Sequence, residues 1–141
     1  MCATEAMGID ELRDLLAAFP GTRVLESGGD FFAVYDPGGD IPPVQQRPWA
    51  TIITTNAYDD GSDLDREGVY RLNLGLPKEL AADVVNPDAA LTSLDVLMPH
   101  PHYARLGFVC VLNPATTWPQ VRDLLDAAHR HAAHRHASRR T

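Results

Sequence analysis

LDVLMPHPHYARLGFVCVLNP, residues 94–114, decides the reading of this chain. Phe108-Val109-Cys110-Val111-Leu112 is its most strand-like run, apolar and partly β-branched, and Asn113-Pro114 ends it. Just before it, Met98-Pro99-His100-Pro101-His102-Tyr103 is a polar loop stiffened by prolines. A core strand is therefore entered from a loop carrying two imidazoles and a phenol. Reactive side chains then stand at the lip of the core.

Downstream of this stretch, Thr116 or Thr117 is placed to cap a closing helix. Trp118, Val121, Leu124, Leu125 and Ala128 recur there at helical spacing. The helix is expected to fray within the His- and Arg-rich end, with residues 135–141 outside the folded body. Upstream, Leu94–Met98 reads as a strand or a helical turn, and Pro77–Val85 as a short helix with proline in its first turn.

The segment from Gly68 to Leu76 alternates. Val69, Arg71 and Asn73 fall on one face and Tyr70, Leu72 and Leu74 on the other, as in a strand with one apolar face. Pro48–Thr55 is a further strand. Thr22–Glu26 and Phe31–Tyr35 flank Ser27-Gly28-Gly29-Asp30 as a hairpin. Met7–Phe19 opens the chain as a helix with Asp10 and Glu11 in its first turn, and Pro20-Gly21 stops it. The loops at 36–47 and 56–67 are long for a small domain, and long loops are often functional.

The order of elements is α-β-β-β-β-α-β-α. Consecutive strands joined by short links run antiparallel. The expected fold is a single α+β domain over residues 1–141, with an antiparallel sheet of about five strands flanked by N- and C-terminal helices. Residues 1–6 are expected to fray. At 141 residues the chain is long enough to bury a core.

Charge narrows the possible partners. Residues 1–128 hold eight basic against all 19 acidic residues, a net of −11, while 129–141 carry four arginines and four histidines. An acidic body is unsuited to sheathing a nucleic-acid backbone. No apolar run approaches the ~18 residues of a membrane span, and no secretory signal pattern opens the chain. The expected location is the cytoplasm, with no nucleic-acid or membrane partner, as a monomer or homodimer. Cys2 and Cys110 make no disulfide framework, and Cys110 reads as a packed strand residue.

Candidate site residues follow from this layout. His100 and Tyr103 suit acid–base chemistry, with Asp95 placed to orient the imidazole. His100 and His102 share a face if the loop is extended, but no further Cys or His spacing supports a metal, and no cofactor is expected. Arg71 has the planar fork for a carboxylate or phosphate, or for an internal ion pair with Asp59, Asp63 or Asp65. Asn73, His102 and Trp49 complete the candidate ligand contacts. Asp59–Asp65 lacks the glycine and glutamate of a calcium loop. His129, His131, His134 and His136 read as a solvated basic terminus.

Several strings also carry a family likeness. They are Gly29-Asp30-Phe31-Phe32, Tyr35-Asp36-Pro37, Ser62-Asp63-Leu64-Asp65-Arg66, Gly68–Asn73, Met98-Pro99-His100-Pro101 with Tyr103, and Val109–Pro114. Together they resemble an uncharacterised actinobacterial family of small proteins with a domain of unknown function, similar in element order to MmcQ/YjbR proteins. The resemblance implies a compact α+β domain, sometimes encoded beside natural-product genes, and carries over no catalytic residue. It implies an apolar residue at position 102 and tryptophan at 108, where this chain has His102 and Phe108.

The leading expectation is a small-molecule-binding protein of bacterial specialised metabolism, of a sequestration or self-resistance type, with its pocket near the His100–Tyr103 loop. The alternatives are a small cofactor-free enzyme using His100 and Tyr103 on a natural-product intermediate, and a protein-interaction module.

Overall fold

Six antiparallel strands and three helices make up the computed structural model, which describes residues 7–42, 45–57 and 61–140. In chain order they are α1 (Ile9–Ala17), β1 (Thr22–Ser27), β2 (Asp30–Tyr35), β3 (Pro48–Ile53), β4 (Arg71–Gly75), α2 (Lys78–Val84), β5 (Met98–Pro99), β6 (Phe108–Leu112) and α3 (Trp118–Arg140). The sheet order is β1-β2-β3-β4-β6-β5. The fold is α+β with helices flanking the sheet, as expected. The sixth strand comes from Met98–Pro99, which pairs with Val109 and Cys110.

Local chemistry sets the register. Gly28 and Gly29 both have positive φ, 60° and 91°, in the two-residue turn that closes β1 on β2. Such mirror-image turns match the twist of a hairpin and favour glycine at both positions. Between β2 and β3 the register slips by one residue, leaving Trp49 unpaired between Pro48 and Ala50. A bulge of this kind can turn successive side chains to one side, and Trp49 and Ala50 both join the main core.

That core lies between the sheet and the packed helices α1 and α3. Phe31, Ala33, Ala50, Ile52, Leu72, Leu74, Val109 and Val111 meet Leu12 and Leu16 of α1 and Val121, Leu125 and Ala128 of α3. On the other sheet face a smaller cluster of Ile53, Leu64, Met98, Cys110 and Leu112 is covered by Val69, Ala89 and Leu91 from the loops. Those loops close only part of the face.

Asp36 is buried and organises the loop after β2. Its Oδ1 accepts the N–H groups of Asp40 and Ile41 at 3.2 and 3.4 Å, and its Oδ2 meets Arg23 at 3.3 Å. The closing helix departs from its expected end, since it runs through Arg140. Its capping acceptor also differs. Thr117 Oγ1 does not cap; it donates, together with the N–H groups of Ala115, Thr116 and Thr117, to the carboxylate of Asp95. A charged acceptor from a neighbouring segment satisfies the helix start better than a local hydroxyl.

Candidate functional site

A cleft of about 1040 Å³ is lined by residues of the second sheet face together with Tyr35, Trp49, Leu76, Ala128 and Ala132 from the side of the main core. Its floor is the polar face of the inner strands: Thr51 and Ile53 of β3, Arg71, Asn73 and Gly75 of β4, and Phe108 of β6. One wall is the His100–Leu106 segment. A second is Ile41, Gln45 and Arg47 from the long loop before β3. A third comes from Ala128, His131, Ala132, Arg135 and His136 of α3, with Lys78 at the start of α2. Burial in such concave sites is what lets a small protein hold a drug-sized molecule.

The histidine loop is built around one ring nitrogen. His100 is 6% exposed, and its Nδ1 accepts the N–H groups of His102 at 3.0 Å and Tyr103 at 3.1 Å. An acceptor nitrogen carries no proton, so the neutral ring holds its hydrogen on Nε2. The His100 and Tyr103 rings lie 4.9 Å apart, centre to centre. Gly107 closes the loop at φ 92°, where a Cβ would stand 2.1 Å from the Leu76 carbonyl oxygen. Glycine is required there by both the backbone angle and the close approach. The loop is thereby pinned to the end of β4, since the Leu76 N–H donates to Gly107 O at 3.0 Å.

The floor is polar and nearly dry. Arg71 is 2% exposed, and its Nη1 donates to Ser62 Oγ at 3.0 Å. Of the three ion-pair partners expected for Arg71, Asp59 lies outside the described residues, Asp63 meets Arg66 at 3.8 Å, and Asp65 forms no ion pair among the described residues. Asn73, 4% exposed, donates from Nδ2 to Thr51 Oγ1 at 2.8 Å. Its Oδ1 has no hydrogen-bond partner among the described residues, and neither has Trp49 Nε1. One buried acceptor and one buried donor therefore stand on residues lining the same cleft. Each unmet group of this kind costs about 1–3 kcal/mol in a dry site.

Of the residues singled out in the sequence, Trp49, Arg71, Asn73, His100, His102 and Tyr103 all line this cleft. Asp95 does not. Its carboxylate takes four hydrogen bonds at the start of α3 and does not orient His100. Burial alone would raise its pKa, but the hydrogen bonds from Thr117, Ala115 and Thr116 outweigh that and lower it from 3.8 to about 2. His100 and His102 rings are 6.1 Å apart, and His102 is exposed. Among the described residues no group of three or more His, Cys, Asp or Glu side chains is placed to hold a metal ion.

The α3 wall is what the sequence reading did not anticipate. His129 is no solvated tail residue. Its Nε2 lies 2.7 Å from Pro20 O, and its ring packs 5.1 to 5.5 Å from Phe19, Tyr35 and Trp49. Beyond it, His131 and Arg135 line the cleft. Burial holds the His131 pKa below its ordinary value, helped by the positive charge of Arg135 and by His134. A signal was present: His131, Ala132 and Arg135 continue the spacing of Leu124, Leu125 and Ala128 in the same helical register.

The match to known families covers nearly the whole of this architecture. The family of unknown function DUF6194 matches residues 7–141. The chain belongs to that family. No curated protein and no solved structure matches the chain. Among the described residues, no helix of this DUF6194 chain is long and apolar enough to cross a membrane.

Proposed function

We propose that this protein binds a small molecule in the cleft between the histidine loop, the β3–β4 floor and α3. The observation that carries this reading is the pair of buried, unmatched polar atoms, Trp49 Nε1 and Asn73 Oδ1, on residues of the cleft wall. Buried polar groups are almost always satisfied, and a ligand offering one acceptor and one donor would satisfy both. The exposed large apolar residues point the same way. Of the four among the described residues, Tyr103 and Leu106 line the cleft, while Leu25 and Leu94 stand outside its lining.

The likeness to MmcQ/YjbR proteins and to actinobacterial proteins encoded near natural-product genes supports a finer proposal. It is ligand sequestration or self-resistance in bacterial specialised metabolism, by a cytoplasmic monomer or homodimer without a nucleic-acid or membrane partner. A second reading, acid–base catalysis, draws on the convergence of His100 and Tyr103 in the cleft, with the His100 proton on Nε2. Asp95 is not the group that orients the ring, because its carboxylate is engaged at the start of α3.

The test is a fragment screen read by ¹H–¹⁵N correlation spectra, in which the indole N–H signals of Trp49 and Trp118 separate the cleft from the outer helix. Ligands should move the Trp49 indole and His100 signals while leaving Trp118 nearly still. A screen whose hits all move other regions, with Trp49 unmoved, would remove the reading.

A further inference from the structure

The cleft has a charge composition unlike that of the chain. Acidic residues outnumber Lys and Arg 19 to 12 over the sequence, yet no Asp or Glu lines the cleft among the described residues. Arg47, Arg71, Lys78 and Arg135 do line it, with four of the six histidines. These cations come from four separate places: the loop before β3, the floor strand, the start of α2 and the last turns of α3. The basic end of α3 accounts for His131, Arg135 and His136, whereas Arg47, Arg71 and Lys78 come from the acidic body of the chain. Burial, with Arg135 and His134 beside it, already disfavours positive charge on His131. An anion in the cleft would relieve that repulsion.

Resting on the small-molecule reading above, we infer that the ligand of this cleft is an organic anion, an apolar or aromatic body bearing a carboxylate or phosphate. The body lies against Trp49, Phe32 and Phe108, and the acidic group faces the cations of the rim and floor. Arg71, buried and donating to Ser62 Oγ, adds its positive charge from the floor. Lys78 and Arg135 are exposed and so take the solvent-facing part of the charge. The buried donor of Trp49 and acceptor of Asn73 orient the body.

Three naphthalene probes test this with the purified full chain: 1-naphthoate, 1-naphthyl phosphate and the uncharged naphthalene-1-carboxamide. Affinities are read from the Trp49 indole N–H signal. Both anions should bind at least about tenfold more tightly than the amide, equivalent to ~1.4 kcal/mol. Raising sodium chloride from about 0.05 to about 0.5 M should shrink that margin, since exposed charges are screened over a few ångströms at the higher salt. Lys78→Gln with Arg135→Gln, both on the surface, should weaken the anions severalfold and leave the amide unchanged. The ratio of naphthoate to naphthyl phosphate affinity then distinguishes a carboxylate from a phosphate ligand. Equal binding of amide and anions overturns the inference while leaving the cleft reading intact. Failure of all three probes to move Trp49 overturns both.

Discussion

The two faces of the sheet are made by alternate residues of the same strands and follow opposite rules. Leu72 and Leu74 of β4 point to the helices and are fully buried with no polar atom to satisfy, whereas Arg71 and Asn73 point to the cleft and are nearly as buried. Against α1 and α3 the side chains are almost all apolar, with Trp49 and Tyr70 the polar-tipped exceptions. Against the loops, buried polar atoms are retained at a cost in stability, in a domain that could have filled those positions with valine or leucine. Groups that destabilise a fold and persist in one place mark a site. The contrast is sharpest between neighbours in sequence, where polar and apolar side chains alternate with the direction they face.

The largest effect should come from breaking the helix face. Leu72→Ala removes a fully buried side chain from the centre of the main core, with an expected loss of about 2–5 kcal/mol in urea unfolding. A loss below about 1 kcal/mol would show that the helix face is not the packed one. The next effect tests a polar group outside the cleft. Asp95→Ala should cost about 1–2 kcal/mol, the usual range for a lost helix cap, without changing probe binding at Trp49. Its pH dependence has a definite sign. The folded carboxyl titrates at about 2 against 3.8 unperturbed, so its stabilisation is complete above the unfolded value and disappears as pH falls from about 4 toward 2. Because the group is only partly buried, solvent screening reduces the full linkage value. The gap between wild type and Asp95→Ala in urea unfolding should therefore narrow between pH 5 and pH 3, and a gap that widened would reject the cap.

How much of this was legible in the sequence divides along the same line. Period-two alternation in residues 69–74 separates Leu72 and Leu74 from Arg71 and Asn73 with no knowledge of the fold, because side-chain direction in a strand is a local property. The proline-flanked histidines likewise announce a loop before a core strand. Asp95 could not be placed this way. Its partners Ala115, Thr116 and Thr117 lie about 20 residues on, and they meet it only because Leu94 bridges to Leu112 and Asp95 N–H donates to Leu112 O. The α3 wall failed for a different reason. Composition made His129–His136 look like a solvated tail, and charge outweighed a helical register that continues unbroken from Leu124 to Arg135. Lys78 and Arg47 reach the cleft from remote elements and left no local trace at all.

The smallest expected change in stability is also the one that separates the two faces most cleanly. Thr51 and Asn73 pair across β3 and β4, with Asn73 Nδ2 donating to Thr51 Oγ1 at 2.8 Å and Asn73 Oδ1 unmatched. Removing one partner alone strands a buried polar atom, so Thr51→Val should cost more than the double variant. Replacing both, Thr51→Val with Asn73→Leu, deletes the internal bond and the unmatched oxygen together. Exchanges of that kind are close to neutral and sometimes stabilising, so urea unfolding should place the double variant within about 1 kcal/mol of wild type. The same variant should lose affinity for naphthalene-1-carboxamide, whose amide hydrogens are the natural donors to Oδ1, with 1-naphthoate affected less. A stable protein with weakened amide binding is what a binding face predicts. If instead the double variant unfolded as readily as Leu72→Ala, the polar pair would belong to the core and the distinction between the faces would fail.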